Sequence, residues 1–339
     1  MKSITQQLIP LDSVYKIVYH HFGSDTRIGN IQELTDGWYS VAYSIELLEK
    51  EFDIIIKLKI PDGLQTQIYE FAAMETEIKV LEFIKNHPIG AEIPLPELIA
   101  YDSEGKLVGR GYFITKKFSG TPLSQLRNNI PKPELEEIER KIGKLQAKIN
   151  EIQGDKFGYF IDHPQYPVQS DSWASTFSLM MENLFNDCKI HNTTLPFSQE
   201  KVRELLKRGK DSLDKVKKPS LVHWDLWLGN IFVMKSDNKW VLEGIIDFER
   251  AIWGDPLTES SLRGKKKNDN LIKGYGSDIF GNRDAKIRDA FYDLYLGTTI
   301  FVERDFRKYK PAVLLMYRLY CRKFWKPALK FLIKELLNQ

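Results

Sequence analysis

The stretch His223-Trp224-Asp225-Leu226-Trp227-Leu228-Gly229-Asn230 sets a carboxylate and an amide five positions apart, on a turn between apolar runs. Ile231 to Met234 then reads as a strand, Ser236-Asp237-Asn238 as a turn and Trp240 to Ile246 as the returning strand. Such a hairpin brings its outer ends together. Asn230 and Asp247 should therefore meet at one sheet edge, with Asp225 just upstream on a loop. No Lys or Arg is read as close enough in sequence to neutralise them. Hard oxygen ligands in this arrangement suit Mg²⁺, completed by substrate phosphates and water. An Asp in a turn is often only a cap, and an Asn before a strand only a turn former. It is the set H-x-D-x-x-x-x-N, hairpin, Ile245-Ile246-Asp247 that argues for chemistry.

These residues need a frame. Ser3 to Phe22 reads as a helix stopped by Gly23. Thr35-Asp36-Gly37 is a turn signal, followed by a strand over Trp38 to Leu47 and a second over Asp53 to Ile60. Ile68 to Asn86 has a helical period, and Leu98 to Tyr101 and Gly111 to Phe118 are two further strands. The first part is thus expected to be a small sheet with one packed helix. Helices follow over Pro133 to Gln153, Ser175 to Asn186, Gln199 to Val216 and from Asn268 to the C-terminus. The change near Phe118 to Pro122 divides the chain into lobes, 1–117 and 118–339.

The hairpin region resembles the catalytic loop of the protein-kinase-like superfamily. It is most similar to that of aminoglycoside phosphotransferases and their choline-kinase-like small-molecule relatives. The resemblance rests on His223-x-Asp225 through Asn230, the hairpin, and Ile246-Asp247 running to Gly254-Asp255-Pro256. It implies an α+β, protein-kinase-like bilobal fold, with a β-rich nucleotide-binding lobe and a larger helical lobe carrying the catalytic loop. It also implies that Asp225 accepts the substrate hydroxyl proton, while Asn230 and Asp247 hold Mg²⁺ on the phosphates. His223 is read as a framework residue of the loop. Asp255 is read as a helix cap or a brace of the loop.

The nucleotide half should lie upstream. Lys57, within Asp53-Ile-Ile-Ile-Lys-Leu-Lys-Ile60, matches the strand lysine that reaches the phosphates, and a charge in so apolar a run needs a partner. Lys59 shares its face and competes. Glu77, with Leu81 and Ile84 following, fits the helix glutamate; Glu75 is the alternate. The phosphate-covering loop, Leu34 to Val41, has one glycine and bulky aromatics, which departs from the glycine-rich pattern. Ser40 and nearby backbone N–H groups are the candidates there. The resemblance places the base of ATP or GTP against backbone near Lys116 to Phe118.

No A-P-E signature follows Asp247, so a small-molecule acceptor is favoured over a protein. The expected activity is transfer of the γ-phosphate to a hydroxyl of an aminoglycoside-like antibiotic or another sugar or amino alcohol. A catalytically weak nucleotide-binding regulatory module is the alternative. A polycationic acceptor would call for carboxylates, for which Glu182, Glu249, Asp255 and Glu259 are candidates. Against it, 49 Lys+Arg outnumber 46 Asp+Glu, a formal charge of +3. That balance also gives no argument for nucleic acid. The densest basic run, Arg263 to Lys267, lacks an aromatic and reads as a solvated loop. Cys188 and Cys321 are too few for a disulfide framework. With no apolar leader or membrane span read in the sequence, the expected location is cytoplasmic, as a monomer or dimer.

Overall fold

The computed structural model describes the chain except residues 1–2, 35–36, 38, 260, 262–267, 277–278, 280, 308–310 and 338–339, and the side chains of 311–318. The Thr35-Asp36 turn, Trp38 and the basic run from Arg263 lie outside the described residues.

The first elements are α1 (Leu11–Phe22), β1 (Ile28–Leu34), β2 (Val41–Leu47), β3 (Ile54–Leu58), α2 (Ala73–Asn86), β4 (Leu98–Asp102) and β5 (Tyr112–Lys116). The strands make one antiparallel sheet in the order β1-β2-β3-β5-β4. Period two decides which β3 side chain goes where. Ile54, Ile56 and Leu58 point to one face and are buried against Val14, Ile17 and Val18 of α1. Ile55 and Lys57 point to the other, where α2 packs Met74 and Ile78 against Phe113. The expectation of one packed helix is corrected to two. Helix α1 is also shorter than Ser3 to Phe22. Pro10 sits at its N-cap (φ −57°, ψ 145°), because proline disfavours helical geometry in the residue before it. The helix read from Ile68 is likewise interrupted: Ala72 is left-handed (φ 53°), and α2 starts after it.

The remainder begins with β6 (Thr121–Pro122), α3 (Leu123–Leu126), α4 (Lys132–Glu151), β7 (Gly158–Tyr159), α5 (Trp173–Ile190), α6 (Gln199–Arg208) and α7 (Lys210–Leu213). Then come β8 (Ser220–Val222), β9 (Ile231–Ser236), β10 (Lys239–Ile245), β11 (Ile252–Gly254), α8 (Asp269–Tyr275), α9 (Arg283–Phe306) and α10 (Pro311–Leu336). The helix read over Gln199 to Val216 is split at Gly209, whose position leaves no room for a side chain: an added Cβ would lie 2.5 Å from the Phe291 ring. The apolar face of α10 is covered by its own fold. Cys321, Trp325 and Leu332 are buried, and the Trp325 ring lies 4.7 Å from that of Phe301 on α9. Both cysteines are free and buried. Among the described residues no helix is long and apolar enough to cross a membrane.

Candidate active site

Strand β8 pairs with β11, and the hairpin β9–β10 with β6, so the loop 223–230 is held at both ends by sheet. The hairpin turns at Asp237 and Asn238, both with positive φ (49° and 62°), which is the turn type whose twist suits a two-residue hairpin. Its outer ends do meet: Ile246 N–H donates to the Asn230 carbonyl at 3.0 Å. Asn230 Nδ2 donates to the Asp225 carbonyl at 2.9 Å, which leaves the amide Oδ1 for another partner. His223 is the framework residue expected. Its Nε2 donates to Ile246 O (2.9 Å), and its Nδ1 accepts from Asp225 N–H (3.3 Å).

Between His223 and Asp225, Trp224 adopts φ 68°, a costly conformation for a bulky residue. Glu259, nearly fully buried, holds it there. Its carboxylate accepts from Trp224 N–H and Leu226 N–H, each at 2.9 Å. The indole adds contacts to Tyr69 and Tyr295, with centroids 5.8 and 5.6 Å apart. Asp247 is also left-handed (φ 76°).

Lys57 crosses from the sheet to this turn. Its Nζ lies 2.6 Å from Glu77 Oε2, 2.5 Å from Asp247 Oδ1 and 3.0 Å from Glu249 Oε2. Lys59 takes the alternate glutamate, Glu75, at 2.6 Å. Both pairings left open by the sequence therefore form. The one that also reaches Asp247 is Lys57–Glu77. Burial alone would pull the Lys57 pKa down, but Asp247, Glu249 and Glu77 together hold it well above its ordinary value. Burial opposes ionisation of Asp247 too, and Lys57 overturns it, so Asp247 is lowered. Glu77 and Asp225 go the other way. Burial raises each to about 7, against Lys57 for Glu77 and against Arg250 for Asp225.

The expectation that no cation lies near these groups in sequence is corrected. Arg250 follows Asp247 by three residues and places Nε 3.9 Å from Asp225 Oδ2. Arg250 is a site residue that sequence reasoning missed. The sequence offers Glu249 and Glu259 as carboxylates for a cationic acceptor, whereas Glu249 holds Lys57 and Glu259 holds the loop backbone. Glu77, Asp247 and Glu249 place carboxylate oxygens within 4.8 Å of one another. That set of hard oxygens, already gripping one ammonium, fits a divalent cation, with Asn230 adjacent to Asp247 through the backbone.

Ser40 and Lys57 line one cavity of about 490 Å³, together with Tyr39, Lys59, Glu75 and Glu249. Lys116 and Phe118 do not line it. They lie farther along the sheet, where Ile54 pairs with Lys116 and Lys57 with Phe113. That separation of three residues is about 10 Å at strand rise. The Lys116 side chain turns outward, with Nζ 5.0 Å from the Phe52 ring, and its backbone N–H is committed to Glu97 O. Phe118 packs on Phe232 (5.5 Å) and over Gly244, where an added Cβ would lie 2.4 Å from its ring. Glu243, also unassigned from sequence, accepts the N–H groups of Ser119 and Gly120 at 2.8 Å. Asp255 caps the turn after it through Leu257 N–H and binds Arg288 and Tyr292, each at 2.7 Å.

The fold is shared with solved structures. A thermostable APH(4)-Ia aminoglycoside phosphotransferase mutant in ternary complex with AMP-PNP and hygromycin B matches with TM-score 0.63 and 16% identity, over 94% of this chain and 98% of that one. The streptomycin–ATP complex of APH(2")-IIa matches with TM-score 0.58 and 15% identity, over 94% and 99%. A protein assigned as a fructosamine-3-kinase from Haemophilus somnus 129PT matches with TM-score 0.59 and 17% identity, over 96% and 97%. The architecture is therefore protein-kinase-like, α+β, with a β-sheet N-terminal region and a helical C-terminal region. Among curated proteins none matches the sequence. Residues 31–261, more than half of the chain, match the phosphotransferase enzyme family, to which this protein belongs.

Proposed function

We propose that the chain transfers the γ-phosphoryl group of ATP or GTP to a hydroxyl of a small molecule. The observation that carries this reading is the grip of one ammonium, Lys57, by Glu77 and Asp247, which ties the sheet, α2 and the post-hairpin turn together at the loop bearing Asp225. On this reading the chain divides functionally at 117/118, with the triphosphate between the two parts. Lys57 and Ser40 face the phosphates. The base lies beyond the end of β5, against backbone at Phe118, since the neighbouring N–H groups are already committed. Asp225 orients the acceptor hydroxyl and takes its proton. The oxygen bonds to the γ-phosphorus as the bond to the β-phosphate oxygen breaks, releasing the nucleoside diphosphate. Asp247 and Asn230, with Glu249 close by, would hold Mg²⁺, which when bound neutralises charge developing on the phosphates.

The test is phosphoryl transfer from Mg·ATP and Mg·GTP to a panel of hydroxyl compounds, compared among the wild type, Asp225→Ala and Asp247→Ala. Both variants are expected to lose transfer while retaining the wild-type circular dichroism spectrum. Wild-type turnover in either would refute the assignment.

A further inference from the structure

We propose that Glu243 is a positioning residue for the nucleotide. It pins the segment where the base lies to the same hairpin that carries Asn230 and leads to Asp247, so the base and the phosphates are held at one separation. This deepens the phosphotransfer reading and rests on it.

The register of the hairpin singles Glu243 out. Pairing runs evenly from Lys239 opposite Ser236 to Leu242 opposite Val233, and then Gly244 stands opposite Phe232. Two residues of β10 thus cover one step of β9, and Glu243 is the extra one. A bulge of this kind takes a side chain out of the strand's alternation and re-aims it. Glu243 Oε1 accepts from Ser119 N–H and Oε2 from Gly120 N–H, each at 2.8 Å. An ionised acceptor makes these stronger than ordinary backbone bonds. The surroundings are fitted to the same contact. Phe118 packs over Gly244, and an added Cβ at Gly120 would collide with Val233 O and Glu243 Oε2. The chain then continues as β6, pairing Thr121 with Val233 and Pro122 with Phe232. Residues 118–122 are therefore fastened to one hairpin, and the outer ends of that hairpin meet where Ile246 N–H donates to Asn230 O, next to Asp247.

Glu243 also decides what a base can meet. Lys116 N–H donates to Glu97 O and Lys117 N–H to Asp53 O, each at 2.9 Å. With Ser119 and Gly120 taken by Glu243, Phe118 N–H is the donor of this run left without a protein partner among the described residues. Removing the carboxylate would free two more donors on a looser segment, and the base would lose its single register.

The test uses the full chain and the variants Glu243→Ala and Glu243→Gln. Calorimetry measures binding of Mg·ATP, Mg·GTP, Mg·tripolyphosphate, adenosine and guanosine. Glu243→Ala is expected to weaken the nucleotide and its nucleoside about ten-fold. Glu243→Gln keeps the side-chain shape and one acceptor oxygen, so it reads the effect even if the alanine variant fails to fold, with a loss of about three-fold. Tripolyphosphate has no base and should bind all three proteins alike. Wild-type nucleotide affinity in both variants overturns the proposal. So does an equal loss for tripolyphosphate, which would make Glu243 a support of the fold and not of the base. A wild type that binds neither nucleotide would instead sink the phosphotransfer reading beneath it.

Discussion

Replacing Asp225 with Asn should stabilise the metal-free protein, and increasingly so as the pH rises. Burial lifts the Asp225 carboxyl from 3.8 to about 7, with Asp247, Glu249 and Glu259 pushing the same way and Arg250 opposing. Between those two values the folded chain holds a proton that the unfolded chain has released, so stability falls as pH rises, and above about pH 7 the full cost is present. Asparagine imitates the protonated form at every pH. The advantage of the variant over the wild type should therefore grow between about pH 5 and pH 8. The carboxyl keeps its extra proton over about the first two pH units of that window, and at about 1.36 kcal/mol for each the ceiling is about 2.7 kcal/mol. The side chain is still 26% exposed, and Asn also gives up the Arg250 contact, so about 1 kcal/mol is the working expectation. Urea unfolding of both proteins in EDTA at the two pH values measures it, and the same variant should transfer no phosphate. An advantage that is flat or shrinking with pH would show that Asp225 is not held in the environment described, and with it the argument that this carboxyl is tuned to take a proton near neutrality.

Two other perturbations probe the supports of the site. Glu259→Gln keeps the shape but exchanges one acceptor oxygen for a donor, leaving Trp224 or Leu226 N–H without a partner; kcat should fall roughly ten- to a hundred-fold with nucleotide affinity unchanged by calorimetry. Arg307, with a fully buried side chain, holds Glu70 at 2.6 Å and lies 4.8 Å from the Tyr39 ring; Arg307→Met strands the Glu70 carboxylate and should cost about 3–5 kcal/mol in urea unfolding.

The site was legible where chemistry is spelled by residues close in sequence. Asp225, Asn230 and Asp247 could be brought together on paper because a two-residue turn fixes the register of a hairpin, and the Asp237-Asn238 dipeptide is a turn that tolerates positive φ. Lys57 was found as a charge in an apolar run, although the reason differs from the one suggested. Ile54, Ile56 and Leu58 face α1, on the opposite side of the sheet, leaving Ile55 on the Lys57 face, and Lys57 needs a partner because of what α2 and the Asp247 turn bring to that face. The choice between Lys57 and Lys59 could not be made locally, since period two gives them the same face. Distance along the sheet to Asp247 makes it, and that distance exists only after folding.

What stayed hidden is of a different kind. Glu259 and Glu243 serve backbone N–H groups distant in sequence, at Trp224 and Leu226 for one and at Ser119 and Gly120 for the other. A carboxylate that satisfies backbone donors carries no sequence pattern of its own, because its partners are anonymous peptide groups. The same blindness made Glu182, Glu249, Asp255 and Glu259 look like four carboxylates available to a polycation. Each is occupied by an internal donor, and Arg250, which reads as one more charge after Asp247, sits between the Asp225 carboxylate and the Tyr69 ring. Counting acidic residues near a catalytic motif therefore overstates the negative charge a substrate meets. The informative quantity is the charge left after internal pairing, and Arg250 enters that count as well, as the partner of Asp225 at 3.9 Å.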